Sequence, residues 1–155
     1  MIAILHNIRS LYNVGSIFRT ADAAGIEKLY LCGITPTPID RFGKLRSQLG
    51  KVSLGAEKSV AWEHFKSTTT LIKKLKKDGY KIFAIEQNKK SILYYEATFP
   101  RESAVALVLG HEVKGLPPSI LKLADKILEI PMRGKKESLN VSVAFGIVVF
   151  GLLYK

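Results

Sequence analysis

Short apolar runs alternate with helical segments along most of this 155-residue chain, and this alternation restricts the fold more than any other feature. Continuous apolar runs are typical of strands that are covered on both faces of a sheet. Such runs predict strands over residues 2–5, 28–32, 80–85, 104–109 and 126–130, with a shorter strand over 60–62. Strands that alternate with helices indicate an α/β fold with a mainly parallel sheet and helices on both faces.

The helices are predicted from apolar residues that recur at three- and four-residue spacing. The first covers residues 13–24, where Asn13 is placed to cap the start and Gly25 to end the helix. Further helices are predicted over 67–78, from Pro117 to residue 124, and over 139–154. The last segment is apolar nearly all round, so we expect it to be buried on most sides, partly by a second subunit.

The composition bounds the kind of protein and its partners. A length of 155 residues suits one domain, and 47% hydrophobic residues can form a full core. The formal net charge of +11 indicates a polyanionic partner, with nucleic acid as the first candidate. Cys32 is the single cysteine, which excludes an internal disulfide and fits a reducing cytosol. We find neither a signal peptide nor an apolar run long enough for a membrane span, so a cytoplasmic location without membrane contact is expected.

Three segments carry the residues that could form a site, and the first is the helix start over residues 13–20 with Asn13, Gly15 and Arg19. Residues 107–117 contain a strand that ends in Gly110 and a compact turn with Glu112, and residues 130–144 contain a basic loop that enters a Ser-Leu-Asn step. Ligands of open α/β sheets bind at the carboxyl ends of strands, so both loops are suitably placed. The loop at 107–117 has neither the G-x-G-x-x-G nor the Walker pattern, which argues against dinucleotides and nucleoside triphosphates. The three histidines lack metal-ligand spacing, so no metal is expected.

These segments match three signature motifs in order. The matching residues are Asn13-x-Gly15-x-x-x-Arg19-Thr20, Leu109-Gly110-x-Glu112-x-x-Gly115-Leu116, and Ile130-Pro131-Met132-x-Gly134-x-x-x-Ser138-Leu139-Asn140-Val141. In this respect the chain resembles the SpoU/TrmH-type RNA ribose 2′-O-methyltransferases of the SPOUT superfamily. The resemblance covers essentially the whole chain, and it therefore implies one SPOUT methyltransferase domain over residues 1–155 with no appended RNA-binding domain.

The resemblance implies a fold, a cofactor and an assembly. Members of the family have a C-terminal trefoil knot, whose loops bind S-adenosyl-L-methionine, and they act as homodimers with the site near the subunit interface. Gly146 and Gly151 would then allow close approach at a dimer contact. Cofactor contacts are expected at Ile85, Leu109, Gly110, Ile130, Met132, Ser138 and Leu139.

The resemblance also implies which residues act on RNA. The catalytic set corresponds to Asn13, Arg19, Glu112, Ser138 and Asn140. In our hypothesis Arg19 binds a phosphate and stabilises the developing alkoxide, because a guanidinium stays protonated and is a poor general base. Ser138 and Asn140 would orient the 2′-hydroxyl, and Glu112 would orient Arg19 or accept a hydrogen bond from the loop. Contacts with RNA are expected at Arg9, Arg19, Arg41, Lys44, Arg46, Lys51 and Arg133.

Two other functions remain open from the sequence. The chain could be a catalytically silent RNA-binding module of the same fold, although the complete catalytic set speaks against this. It could also be a base-methylating knotted relative, which the Ser-Leu-Asn step disfavours. The substrate would be tRNA or rRNA, and a compact target such as a tRNA loop is favoured because recognition must come from the core surface.

Overall fold

One parallel sheet organises the molecule. The computed structural model describes residues 1–100 and 103–154, and within them seven strands pair in parallel in the order β3-β2-β1-β6-β4-β7-β5. The strands are β1 (Ile2–His6), β2 (Lys28–Cys32), β3 (Ala61–Phe65), β4 (Lys81–Ile85), β5 (Ile92–Leu93), β6 (Val105–Leu109) and β7 (Lys126–Glu129). The helices are α1 (Leu11–Ala24), α2 (Ser47–Ser53), α3 (Ala56–Ser59), α4 (Thr68–Lys77), α5 (Pro118–Leu121) and α6 (Val141–Leu153). The predicted α/β fold with a parallel sheet is confirmed.

Two apolar layers cover the sheet. On β1, Ala3 and Leu5 point into the layer that contains α1 and α6, whereas Ile2 and Ile4 point into the layer that contains α4 and α5. Successive residues of a strand face opposite sides, so one uninterrupted apolar run serves both layers. The predicted helices on both faces of the sheet are therefore present.

Most predicted elements lie within two residues of the observed ones, and the differences occur where the apolar pattern is weak. β3 covers Ala61–Phe65 rather than 60–62, because this edge strand is mostly exposed and has no continuous apolar run. Helices α2 and α3 and the two-residue strand β5 were not predicted. Each is too short to contain a recognisable period.

The start of α1 differs from the prediction in a way that matters for the site. Ser10, not Asn13, caps the helix, and its hydroxyl accepts the backbone N–H of Asn13 at 3.2 Å. Because the helix begins at Leu11, the amide side chain of Asn13 is free to bind elsewhere. The predicted end is confirmed, since Gly25 adopts the left-handed conformation with φ of 69°.

Close contacts between helices set the position of α1. A Cβ atom on Gly15 would lie 2.4 Å from Cγ2 of Val52 and 2.6 Å from the carbonyl oxygen of Leu49, so α2 approaches the backbone of α1. In α6, Gly151 faces the ring of Tyr94 and Gly146 faces Thr20. Gly151 therefore has a close neighbour within the chain, whereas Gly146 makes an ordinary van der Waals contact.

The most apolar helix, α6, has 13 residues. In the described ranges 1–100 and 103–154, none of the helices combines the length and the apolar character that a membrane crossing requires.

We predict that Gly15→Ala lowers the free energy of unfolding by about 1–3 kcal/mol, because the new methyl group meets backbone as well as side-chain atoms of α2. The matched control is Gly146→Ala, whose Cβ would meet its nearest neighbour, Cγ2 of Thr20, at 3.7 Å. This control should gain about 0.5–1 kcal/mol from the higher helix propensity of alanine. Urea denaturation measures both, and equal stability of the two variants would contradict the close packing of α1 on α2.

Candidate active site

The candidate site is a cavity at the carboxyl ends of β4, β6 and β7. Its volume is about 420 Å³, within the range of small-molecule sites. The walls come from the loops that follow these three strands and from the start of α6. Parallel strands end at one edge of the sheet, which brings loops from distant parts of the sequence together there.

The structure brings together all residues expected to contact a cofactor. Ile85, Leu109, Gly110, Ile130, Met132, Ser138 and Leu139 all line the cavity. Of the expected catalytic residues, Glu112 and Ser138 also line it, whereas Asn13, Arg19 and Asn140 lie outside its wall. The cavity thus combines two of the three sequence motifs, and the first motif reaches it through hydrogen bonds.

The lining has a charge opposite to that of the whole chain. Glu86, Glu112 and Glu129 contribute carboxylates, and Lys114 is the one lysine or arginine among the lining residues. The chain as a whole has a formal net charge of +11. An acidic lining favours a cationic ligand and disfavours a polyphosphate, since like charges repel strongly at a partly desolvated site.

The loop after β6 folds into a tight turn. A Cβ atom on Gly110 would lie 2.5 Å from the carbonyl carbon of Gly115 and 2.7 Å from the nitrogen of Leu116, and Gly115 has a φ of +62°. Glu86 holds the turn, because its Oε2 accepts the N–H of Leu116 at 2.8 Å. Glu86 was not among the residues expected at the site, although a carboxylate directly after a predicted buried strand was a usable signal.

A chain of hydrogen bonds links the three motifs. Nδ2 of Asn13 donates to Oε1 of Glu112 at 3.2 Å, and Nδ2 of Asn140 donates to Oδ1 of Asn13 at 3.0 Å. The oxygen Oδ1 of Asn140 accepts the N–H of Ser142 at 2.9 Å and thereby caps α6. The donor and acceptor roles in this series of hydrogen bonds are determined at both ends, because a backbone N–H can only donate and an ionised carboxylate can only accept.

Glu112 is also tied to the start of α1. Its carboxylate accepts the backbone N–H groups of Arg9 at 3.2 Å and of Ser10 at 3.1 Å. Burial by itself would raise the pKa of Glu112, but these hydrogen bonds and that from Asn13 outweigh it and lower the pKa. Glu112 is therefore ionised at neutral pH, and it acts as an acceptor that joins the second motif to the first.

Arg19 lies apart from this network. It is six residues beyond Asn13, which places it about 9 Å farther along α1, away from the edge of the sheet that carries the cavity. Its side chain is exposed and has no hydrogen bond or ion pair with any residue in the described part of the chain. The guanidinium is thus available for a group that comes from outside the protomer.

The other basic residues expected to contact RNA are distributed around this edge of the sheet. Arg41, Lys44 and Lys51 are exposed in the segment that follows β2, and Arg9 and Arg133 are exposed in loops beside the cavity. Arg46 is half-buried and donates from Nε to the carbonyl oxygen of Thr37 at 3.1 Å. The terminal nitrogens of Arg46 have no hydrogen bond to the described residues, so Arg46 can face a polyanion as the exposed cations do.

Comparison with known proteins gives a consistent assignment. A family model described as the SpoU rRNA methylase family matches residues 1–150. A tRNA (guanosine(18)-2′-O)-methyltransferase of Aquifex aeolicus is 31% identical over 97% of this chain and 67% of its own length. Other curated relatives are matched over 56–65% of their length, so the chain spans little more than half of several of them.

Solved structures agree with the same assignment. An AdoMet-bound rRNA methyltransferase from Sinorhizobium meliloti superposes with a TM-score of 0.85 at 28% identity, covering 97% of this chain and 54% of that chain. A structure described as concerning 2-OH methylation of C/U34 on tRNA has a TM-score of 0.77 at 28% identity and covers 96% and 90% of the two chains. With three motifs joined at one cavity and a family match over nearly its full length, the chain belongs to the SpoU rRNA methylase family.

Proposed function

We propose that this chain is a methyltransferase that uses S-adenosyl-L-methionine to methylate a ribose 2′-hydroxyl of RNA. The observation that carries the proposal is the hydrogen-bonded chain from Glu112 through Asn13 to Asn140 beside a cavity of about 420 Å³. The names of relatives that modify tRNA or rRNA riboses support the same chemistry.

The cavity fits this cofactor in charge and shape. Leu109, Ile130 and Met132 offer apolar contact for an adenine ring, and the glycine turn at Gly110 offers backbone groups without side chains in the way. The carboxylates of the lining suit a ligand that carries a positive sulfonium and a positive amino group. When bound, the cofactor supplies a methyl group on a positively charged sulfur, which is a strong electrophile and requires no metal.

The residues of the chain position the ribose and stabilise charge. Asn140 has one N–H left after its bond to Asn13, and the hydroxyl of Ser138 lines the cavity, so both can bind the 2′-oxygen. The chain of bonds to Glu112 keeps the Asn140 amide in the orientation that presents this donor. Such preorganised donors stabilise an oxyanion as it forms. Holding the two reactants in place supplies several further kcal/mol.

Arg19 completes the site across a homodimer in our proposal. The exposed face of α6 carries apolar residues at helical spacing, namely Val143, Phe150 and Tyr154, with Leu139 just before the helix. An apolar stripe of this kind is typical of a subunit interface. Since the Arg19 guanidinium lies on α1, away from the cavity of its own protomer, it would bind an RNA phosphate and stabilise the alkoxide at the partner's cavity.

The RNA would lie over the basic edge of the sheet. Phosphate contacts are proposed for Arg9, Arg41, Lys44, Arg46, Lys51 and Arg133, in addition to Arg19. The substrate would be a tRNA or rRNA, and the protein would therefore work in the cytoplasm. We further infer a C-terminal trefoil knot around the cavity, supported by the bond from Nε2 of Gln87 to the carbonyl oxygen of Glu137 at 2.6 Å, which joins two cavity loops.

One prediction tests the methyl-transfer reaction itself. Incubation with methyl-tritiated cofactor and separated tRNA and rRNA fractions should label one fraction, and digestion should release a 2′-O-methylnucleoside. A methylated 2′-oxygen cannot attack the adjacent phosphate, so the labelled linkage should resist alkali. Label on a base would instead indicate a base methyltransferase. RNA binding without calorimetric binding of the cofactor would indicate a silent module.

A second prediction concerns the glycine turn. Gly110→Ala should weaken cofactor binding at least tenfold, about 1.4 kcal/mol, because the methyl group meets backbone atoms of Gly115 and Leu116. Gly134→Ala is the matched control, since its Cβ has open space around it and it lies in the third motif. Calorimetry should find its affinity within about twofold of wild type. Tight binding by Gly110→Ala would argue that the cavity does not hold the cofactor.

A third prediction tests the role of Arg19 in the dimer. Arg19→Ala and Asn140→Ala should each lose about 100-fold in methyl transfer, because each removes a donor to the reacting oxygen. After random subunit exchange at equal amounts, half of the dimers are mixed and each has one intact site, so about a quarter of wild-type activity should return. Differently tagged subunits verify the exchange. Verified exchange without recovery would mean that Arg19 serves its own protomer.

A further inference from the structure

A closed hairpin follows β2 and carries an exposed aromatic ring at its tip. We define the basic hairpin as residues 38–46. Two backbone hydrogen bonds pair its stem. The N–H of Arg46 donates to the carbonyl oxygen of Pro38 at 2.8 Å, and the N–H of Asp40 donates to the carbonyl oxygen of Lys44 at 2.8 Å. Oδ1 of Asp40 accepts the N–H groups of Phe42 at 2.8 Å and Lys44 at 3.0 Å.

These bonds give the tip a defined shape. Gly43 has a φ of +77° and donates its N–H to the carbonyl oxygen of Asp40 at 3.0 Å, which closes the turn. Asp40 therefore accepts the backbone N–H groups of three consecutive residues, Phe42, Gly43 and Lys44, and these bonds hold Phe42 in the turn. A ring presented by such a turn loses little conformational freedom when it binds a partner.

Phe42 is open to solvent and already paired with a cation. Its exposed fraction is 73%, and the guanidinium of Arg41 lies 4.8 Å from the ring centroid. A ring with this much exposed apolar surface gains free energy when a partner covers it. Arg41, Lys44 and Arg46 supply three cations to the hairpin against the single carboxylate of Asp40, which is itself bound to the turn.

We propose that Phe42 stacks on an unpaired nucleobase of the RNA substrate, while the cations of the basic hairpin bind the phosphates on either side. The inference rests on the proposed function and adds to it a single-stranded or loop nucleotide next to the methylated one. An aromatic ring among cations is the arrangement that binds single-stranded nucleic acid, because every base has a face that can stack. Paired bases inside a helix cannot reach a ring in this way.

The charge of the basic hairpin favours RNA over a second copy of this chain. In a two-fold symmetric contact centred on the basic hairpin, Arg41, Lys44 and Arg46 would face their own counterparts and repel them. An acidic RNA strand neutralises these cations and covers the ring at the same time. The position also fits, since the basic hairpin belongs to the segment that follows the carboxyl end of β2, and the cavity lies at the carboxyl ends of the same parallel sheet.

The test compares RNA affinity across variants of one residue. With the tRNA or rRNA fraction that the wild-type protein binds, Phe42→Ala should raise Kd about tenfold or more, and Phe42→Trp should restore it. Phe42→Leu keeps apolar bulk without a ring and should stay weak. Tyr95→Ala is the matched control, because it removes an exposed ring that packs edge-on against Tyr94, and its Kd should be unchanged.

Salt dependence separates stacking from charge. Phe42→Ala should leave the slope of log Kd against log salt concentration unchanged. Lys44→Ala should reduce that slope by about one, which corresponds to the loss of one phosphate contact. Trp62 is the single tryptophan of the sequence, so a variant that combines Trp62→Phe with Phe42→Trp has its only indole on the basic hairpin. Single-stranded RNA should quench the fluorescence of this indole. Quenching by the strand and not by its duplex would support an unpaired base.

Several outcomes would overturn the inference while the proposed function stands. These are an unchanged Kd for Phe42→Ala, equal rescue by leucine and tryptophan, or a loss of dimer in Phe42→Ala on light scattering, which would assign the ring to a second copy. Failure of the wild-type protein to transfer methyl to any RNA would overturn the proposed function instead. The comparison of RNA affinities does not depend on methyl transfer, so the two failures can be distinguished.

Discussion

The position of the site depends on one line of hydrogen bonds, from Glu112 through Asn13 to Asn140. The two bonds join residues that are 99 and 127 positions apart in sequence. The groups at both ends also bind the start of a helix, since Asn140 caps α6 and Glu112 accepts backbone N–H groups just before α1. The line therefore couples the register of two helices to the turn after β6. A shift of any of the three would leave polar groups unpaired at about 1–3 kcal/mol each.

The molecule separates its charges between the cavity and the surface around it. Carboxylates of Glu86, Glu112 and Glu129 line the cavity, whereas the surface has the excess of cations that gives the chain its net charge of +11. A cationic ligand and a polyanion are thus attracted to adjacent but different places. The carboxylates of the cavity are stable close together because each is hydrogen-bonded to the backbone or to a neighbouring hydroxyl.

Elements that one physical pattern determines could be predicted from the sequence. The strand at Lys28–Cys32 and the cap at Gly25 were predicted at the observed residues, because buried strands require continuous apolar runs and a left-handed cap strongly favours glycine. Prediction failed where two local solutions were equally good. Both Ser10 and Asn13 can cap a helix, and only the bonds of Asn13 to Glu112 and Asn140 decide that Ser10 does so. The carboxylate of Glu86 was missed because its partner, the N–H of Leu116, lies 30 residues away.

The sequence by itself determined the class of fold, the excess of positive charge and the three motifs, since each is a property of residue type and spacing along the chain. The tertiary structure alone decided which of these residues meet: all seven expected cofactor contacts line one cavity, and Arg19 does not. The reason is physical. Hydrophobic periodicity is local and can be read from neighbours, whereas convergence at a sheet edge depends on strand order, and the order β1-β6-β4-β7 places loops side by side that are far apart in sequence.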